Sequence, residues 1–144
     1  MPTLSILVLV VEDHKPFREF ISSILQNNPE FRVISQVADG AVAVQMAENL
    51  RPDLILLDIG LPGLNGIDVA RRILALCPDS RILFVSQETS EDVVEEALST
   101  GALGYLLKAD AGSELLAALN SVLLGNKYMR RTVRTREWMA THQD

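Results

Sequence analysis

The run Leu54-Ile55-Leu56-Leu57-Asp58 constrains this chain more than any other stretch. Four consecutive aliphatic residues without polar alternation fit a strand buried on both faces, the environment of a central strand in a parallel sheet. A carboxylate closes the run, and Gly60 and Pro62 then stop further pairing. The pattern predicts Asp58 at the C-terminal tip of a middle strand, where open α/β sheets gather ligands. An aspartate in that place can also do no more than start a turn. The decision therefore rests on how the other strands end.

Ile6-Leu7-Val8-Leu9-Val10-Val11 reads as a β-branched-rich strand that ends on Glu12-Asp13. Pro16 suits a first helical turn, and Phe17, Phe20, Ile21, Ile24 and Leu25 follow at amphipathic helical spacing. Phe31–Ile34 gives a second strand that leads into uncharged Ser35-Gln36. Ala43, Met46, Ala47 and Leu50 mark the inner face of a second helix. After the Asp58 strand, Asn65 caps a third helix with Asp68 near its positive end, and Val69, Ile73 and Leu76 face inward. Ile82-Leu83-Phe84-Val85 is a fourth buried strand, terminating at Ser86.

Thr89 with Asp92 predicts a capping box for a fourth, acidic helix carrying Glu91, Asp92, Glu95 and Glu96. Only Val93, Val94, Ala97 and Leu98 anchor it, and Gly101 ends it. Tyr105-Leu106-Leu107 is a short fifth strand ending at Lys108, and Leu115, Ala118, Leu119, Val122 and Leu123 define the last helix. Five strands alternating with five helices predict an α/β fold, a parallel sheet covered on both faces. Glu12, Asp13, Asp58, Ser86 and Lys108 then meet at one sheet edge. Three carboxylates in one crevice repel each other unless a cation joins them.

The chemistry open to such a set is narrow. Carboxylates, a backbone carbonyl and waters suit Mg²⁺. Asp58 can attack a phosphoryl group as a nucleophile and form an acyl phosphate, with Lys108 neutralising the phosphoryl oxygens and Ser86 donating to one of them. No residue is suited to activate water strongly, so the product should persist as a signal, and enzymatic turnover beyond self-catalysed transfer and slow self-dephosphorylation is not expected.

Charge divides the chain. Residues 1–125 hold 8 Lys/Arg against 17 Asp/Glu, whereas residues 126–144 hold 5 against 2. The acidic body is a poor nucleic-acid surface, because duplex binding depends on neutralising phosphates. The division predicts a domain over 1–125 and a basic tail or linker over 126–144. That tail mixes Lys127, Arg130, Arg131, Arg134 and Arg136 with Tyr128, Met129, Val133, Trp138 and Met139. It is too short for a helix-turn-helix domain, and contact with nucleic acid stays an alternative to a solvated linker. One cysteine, Cys77, excludes an internal disulfide and reads as a small core filler. The apolar run Ile6–Val11 is too short to span a bilayer and lacks signal-peptide features. A cytoplasmic protein without membrane contact is the expectation.

The set Glu12-Asp13, Asp58, Ser86 and Lys108 resembles a bacterial two-component response-regulator receiver domain of the CheY-like kind, over residues 5–125. Asp13-His14 with Pro16, Phe17 and Arg18, and Gly104-Tyr105-Leu106-Leu107-Lys108, are similar to the NarL/LuxR-type transcription-factor subfamily. The resemblance implies a flavodoxin-like doubly wound, five-stranded sheet of order 2-1-3-4-5. It implies Asp58 as phosphoacceptor, Glu12, Asp13, Asp58 and the Gly60 carbonyl around Mg²⁺, and Lys108 and Ser86 at the phosphate. Ser86 and Tyr105 form the implied switch pair, in which Tyr105 turns from an exposed to a buried position and so changes the surface of helix four, strand five and helix five. Gln87 and Glu88 control access to the site, Gln87 being larger than the usual small residue. Ser86 stands where Thr is commoner, and Ala109 where many members carry proline. The implied partners are a sensor histidine kinase, a second copy on phosphorylation, and a C-terminal DNA-binding domain absent from this chain. A stand-alone receiver acting through protein contacts remains equally open.

Other readings compete at single positions. Tyr105 can simply pack at the sheet edge, Lys108 can lie along the surface, and His14 fits a helix start better than a metal site. An aspartate-nucleophile hydrolase would want a second Asp two residues after Asp58, where Gly60 stands. A flavodoxin-type phosphate loop would want Ser, Thr and Gly where Glu12-Asp13-His14-Lys15 stands. Gly60, Gly63 and Gly66 lack dinucleotide-loop spacing, and Pro62 interrupts them.

Overall fold

The structure, a computed structural model, describes residues 5–129. Strands β1 (Ile6–Val11), β2 (Phe31–Val37), β3 (Leu54–Leu57), β4 (Arg81–Ser86), β5 (Gly104–Leu107) and β6 (Tyr128–Met129) alternate with helices through most of the chain. The helices are α1 (Lys15–Gln26), α2 (Gly40–Leu50), α3 (Gly66–Leu76), α4 (Glu91–Ser99) and α5 (Ala111–Leu123), with a 3-10 turn at Lys108–Asp110. All pairings are parallel, in the order β2-β1-β3-β4-β5-β6. The predicted doubly wound α/β class and the order of its five strands are found.

The aliphatic runs dictate this layering. Every residue of β3 is buried, and its alternate side chains feed two separate cores. Ile55 and Leu57 join Ala43 and Ala47 of α2, Val69 and Ile73 of α3, and Val94 and Ala97 of α4. Leu54 and Leu56 join Ile21 and Leu25 of α1 and Leu115, Ala118, Leu119 and Val122 of α5. Strand register then aligns the site. Val11 lies opposite Leu57, and Leu57 opposite Phe84, so Glu12, Asp58 and the end of β4 emerge at one level. Asn65 caps α3 through the Asp68 N–H at 3.0 Å, as its sequence predicts. Cys77 is a buried filler whose Sγ lies 3.5 Å from the Ala47 carbonyl.

Four details differ from the sequence reading. The sheet has a sixth short strand: Tyr128 and Met129, read from sequence as tail, pair with Gly104 and Tyr105. The Tyr128 N–H donates to the Leu103 carbonyl at 2.9 Å, and Met129 is buried, which holds this segment on the sheet. β2 runs on to Val37, with a bulge at Ile34 between the Val8–Val33 and Leu9–Ser35 pairs. Ser90, rather than Thr89, is the α4 N-cap, because Glu88 organises the preceding loop: its carboxylate accepts from the Ser90 N–H at 3.0 Å. Leu50 and Leu76, expected inward, close their helices at about 40% exposure. Arg130, Arg131, Val133, Arg134, Arg136, Trp138 and Met139 lie outside the described residues. Among the described residues, no helix is long and apolar enough to cross a membrane.

Candidate functional site

β1 ends by delivering Glu12 into the interior at 2% exposure and Asp13 to the surface. The alternation of side chains along an extended chain separates the two acids in this way. Glu12 is held from three directions. Its Oε2 accepts the His14 N–H at 3.0 Å, its Oε1 lies 2.9 Å from Lys108 Nζ, and its carbonyl accepts from Arg18 at 2.7 Å. Asp58, 6% exposed, follows β3; its Oδ2 lies 3.2 Å from the same Lys108 ammonium, and its Oδ1 faces the Gly60 N–H at 3.4 Å. Gly66 at the start of α3 is packed under Asp58: a Cβ there would sit 2.1 Å from the Asp58 carbonyl oxygen. Only glycine permits that approach, which fixes the backbone that carries the carboxylate.

One oxygen from each of Glu12, Asp13 and Asp58 lies within 4.8 Å of the others. Among the described residues, the Lys108 ammonium pairs with only two of these three carboxylates, so the donor set fits a hard divalent cation bound by oxygen. Burial pushes the Glu12 carboxyl above its usual range, and the nearby Asp58 charge adds to this against the Lys108 and His14 hydrogen bonds. For Lys108, burial alone would lower the pKa; the Glu12 hydrogen bond and the Asp58 charge outweigh it and raise it. The ammonium is thus firmly charged. It also lies 4.9 Å above the Phe17 ring.

A cleft of about 430 Å³ opens over these groups, lined by Asp13, His14, Asp58, Gly60, Ser86 and Lys108, with Gln87 and Glu88 at its rim. Ser86 is buried, and its Oγ accepts the Glu88 N–H at 3.1 Å. The β4–β5 register sets Ser86 opposite Leu107 and Phe84 opposite Tyr105. Tyr105 therefore packs against Phe84, with ring centroids 6.2 Å apart, and lies two pairs back from Ser86 on the same sheet face. The expectation that Tyr105 starts from an exposed position does not hold. It is fully buried, and its hydroxyl donates to the Glu88 carbonyl at 2.7 Å, which satisfies the phenol inside. Burial pushes that phenol up to about 12, with the Glu88 and Asp58 charges adding to the effect against the Ser86 hydroxyl.

The structure thus brings together Glu12, Asp13, Asp58, Gly60, Ser86, Gln87, Glu88 and Lys108 around one cleft, and sets Tyr105 behind it. Sequence reasoning missed the supports: Arg18 on the Glu12 carbonyl, Gly66 beneath Asp58, and the Phe17 ring beneath Lys108. Arg18 and Phe17 stand within the segment that carried the subfamily resemblance, the signal by which they were accessible.

Residues 8–120 match the response regulator receiver domain family. The chain is 38% identical over 128 residues to the transcriptional regulatory protein DegU of Brevibacillus brevis, covering 89% of this chain and 54% of that protein. It is 34% identical over 118 residues to the nitrate/nitrite response regulator protein NarL of Escherichia coli K12, covering 82% of this chain and 55% of the relative. The chain spans about half the length of these relatives. The solved signal receiver domain of the putative response regulator NarL from Mycobacterium tuberculosis superposes with a TM-score of 0.82 at 31% identity, over 86% of this chain and all of that one. With the family match running from β1 into α5 and such relatives on either side of it, the chain belongs to the response regulator receiver domain family, among members of the NarL/LuxR type.

Proposed function

We propose that this receiver takes a phosphoryl group on Asp58, from a sensor histidine kinase or a small phosphodonor, and passes the change to a transcriptional output. The observation that carries the reading is the Lys108 ammonium set between Glu12 and Asp58, 2.9 and 3.2 Å away, beside a third carboxylate. An Asp58 oxygen attacks phosphorus; the bond from phosphorus to the donor's nitrogen or oxygen breaks, and the donor leaves with that electron pair. Lys108 then exchanges a carboxylate oxygen for a phosphoryl oxygen, and Ser86 turns its hydroxyl proton toward the same group. Glu12, Asp13 and Asp58 with the Gly60 carbonyl are the proposed Mg²⁺ ligands. When bound, Mg²⁺ would supply positive charge to the phosphoryl oxygens and relieve repulsion among the acids. Gln87 and Glu88 at the cleft rim would set the access of donor and water.

Tyr105 is the proposed reporter of the modification, with phosphorylation reinforcing the buried position through Ser86 and the loop to Glu88. The altered α4–β5–α5 surface would then govern association with a second copy. The lengths of DegU and NarL support a further domain beyond the receiver, in a cytoplasmic regulator; the receiver assigned to 1–125 takes in the β6 segment as well, leaving the residues after Met129 as its tail or linker. Mass spectrometry after incubation with acetyl phosphate and Mg²⁺ tests the chemistry. One added phosphate on the parent and none on Asp58→Asn is the expected result; equal uptake by both overturns the assignment, and sustained phosphate release points to a hydrolase.

A further inference from the structure

Phe17 is the third residue of α1, after Pro16 at the helix start. The helix lays its ring beneath the start of the 3-10 turn that carries Lys108, with the ammonium 4.9 Å from the ring centroid. An ammonium has three N–H donors. Glu12 Oε1 at 2.9 Å and Asp58 Oδ2 at 3.2 Å take two directions, and the ring face lies on a further side. The Lys108 side chain is left 12% exposed. A flexible lysine would otherwise lose conformational freedom to stay between two carboxylates.

We infer that Phe17 is a positioning residue for Lys108, its ring face holding the ammonium at the phosphoryl site by cation–π attraction. The attraction of a ring quadrupole is broad in direction, whereas a hydrogen-bonding side chain would fix the ammonium to one point. Lys108 can therefore move from carboxylate to phosphoryl oxygen while keeping its attraction to the ring. Phe17 also walls an apolar hollow with Leu107 and Ala109, and packs beside Phe20 at a centroid distance of 6.0 Å. Simple packing would thus require an apolar residue here but not an electron-rich ring face.

The inference rests on the phosphoryl-acceptor reading of Asp58, and the test separates the two. Phenylalanine with successively more ring fluorines at position 17 keeps shape and burial while draining the ring's negative face. Beryllofluoride affinity with Mg²⁺ is titrated for each protein as the full chain. The fluorine series should weaken binding stepwise, by about threefold to tenfold at its end. Phe17→Leu should match the most fluorinated protein, and Phe17→Tyr should restore parental affinity. A flat series with tight parental binding overturns the Phe17 role and leaves the Asp58 chemistry standing. A parent that binds no beryllofluoride overturns both.

Discussion

The Tyr105 hydroxyl donates to the main-chain carbonyl of Glu88 at 2.7 Å, tying β5 to the loop between β4 and α4. Ser86 acts on the same loop from its other side, accepting the Glu88 N–H at 3.1 Å. One residue's backbone therefore links a group at the cleft to a side chain buried behind it. Under the proposed function, a displacement of Ser86 toward a phosphoryl group on Asp58 would reach Tyr105 through Glu88.

Tyr105→Phe should keep the ring in place and remove this link together with the phenol's interaction with the Ser86 hydroxyl. The loss should be about 0.5–1.5 kcal/mol, toward the lower end if water reaches the Glu88 carbonyl. Amide exchange over residues 87–99 should accelerate while β1 and β3 keep their protection. Unaltered exchange through α4 would show that the hydroxyl does not hold the loop.

The Tyr105 phenol is pushed up to about 12, mainly by burial. The folded state therefore keeps a proton that the unfolded chain gives up near pH 10. Its contribution to stability is complete below about pH 10 and is lost as the pH rises toward 12. Phenolate absorbance should lag behind that of the denatured chain, with Tyr128 also shifted upward by burial and the Asp110 charge. Folded and denatured titrations that coincide would contradict the burial of both rings.

Mg²⁺ should raise the melting temperature of the unmodified protein, because it binds the native cluster of Glu12, Asp13 and Asp58 but not the dispersed unfolded acids. A concentration tenfold above the dissociation constant stabilises by about 1.4 kcal/mol. Asp13→Ala should remove most of this gain at little cost without metal, since Asp13 is exposed whereas Glu12 and Asp58 are buried. Thermal melts of parent and variant across an Mg²⁺ series provide the comparison; a parent insensitive to Mg²⁺ refutes the proposed ligand set.

Gly66→Ala should damage the site from below. The added methyl would lie 2.1 Å from the Asp58 carbonyl and 2.7 Å from Ile59 Cα, both backbone atoms that cannot turn aside. Overpacking of this kind costs about 1–3 kcal/mol, often more against backbone. Phosphate uptake should fall further than the loss of folded protein explains, because the strain is relieved by moving Asp58. Parental stability and uptake in this variant would show that the contact is loose.

The strand ends were legible in the sequence because aliphatic runs cannot be solvated, and four of the five runs stop at a candidate site residue: Glu12-Asp13, Asp58, Ser86, Lys108. Parallel connections then bring these ends to one edge, so spacing along the chain becomes proximity in space. The features missed depend on distances between elements. Phe17 looks like any member of the α1 stripe until α1 is docked beside Lys108. Gly66 looks like a loop glycine until α3 packs under Asp58. Tyr105 is an aromatic on a strand whose facing cannot be read from the sequence, and its place against Phe84 and the Glu88 carbonyl sets it inward. Tyr128-Met129 is too short to show any periodicity, and its pairing rests on backbone bonds to β5.

That short strand leads to the last prediction. Met129 pairs with Tyr105, belongs to the same buried cluster, and is 5% exposed. Tyr128 lies on the other face, where its hydroxyl bonds Glu114 of α5, and the Ser121 hydroxyl donates to the Lys127 carbonyl at 3.4 Å. The segment after α5 is thus fastened to the sheet edge beside Tyr105. A chain ending at Gly125 loses these contacts and exposes one edge of β5. Loss of a buried methionine alone costs about 2–5 kcal/mol when the site cannot collapse, and an edge position should fall at the low end. Stability should drop by about 2 kcal/mol, and exchange at β5 should rise more than at β1 or β3. Met129→Ala in the full chain should reproduce most of the effect on Tyr105 while leaving the Tyr128–Glu114 bond in place. If the shortened chain matches the parent in stability and in β5 protection, β6 contributes nothing to the core. If only β5 and the Glu88 loop loosen, the strand that leads out of the domain bears directly on the position of Tyr105.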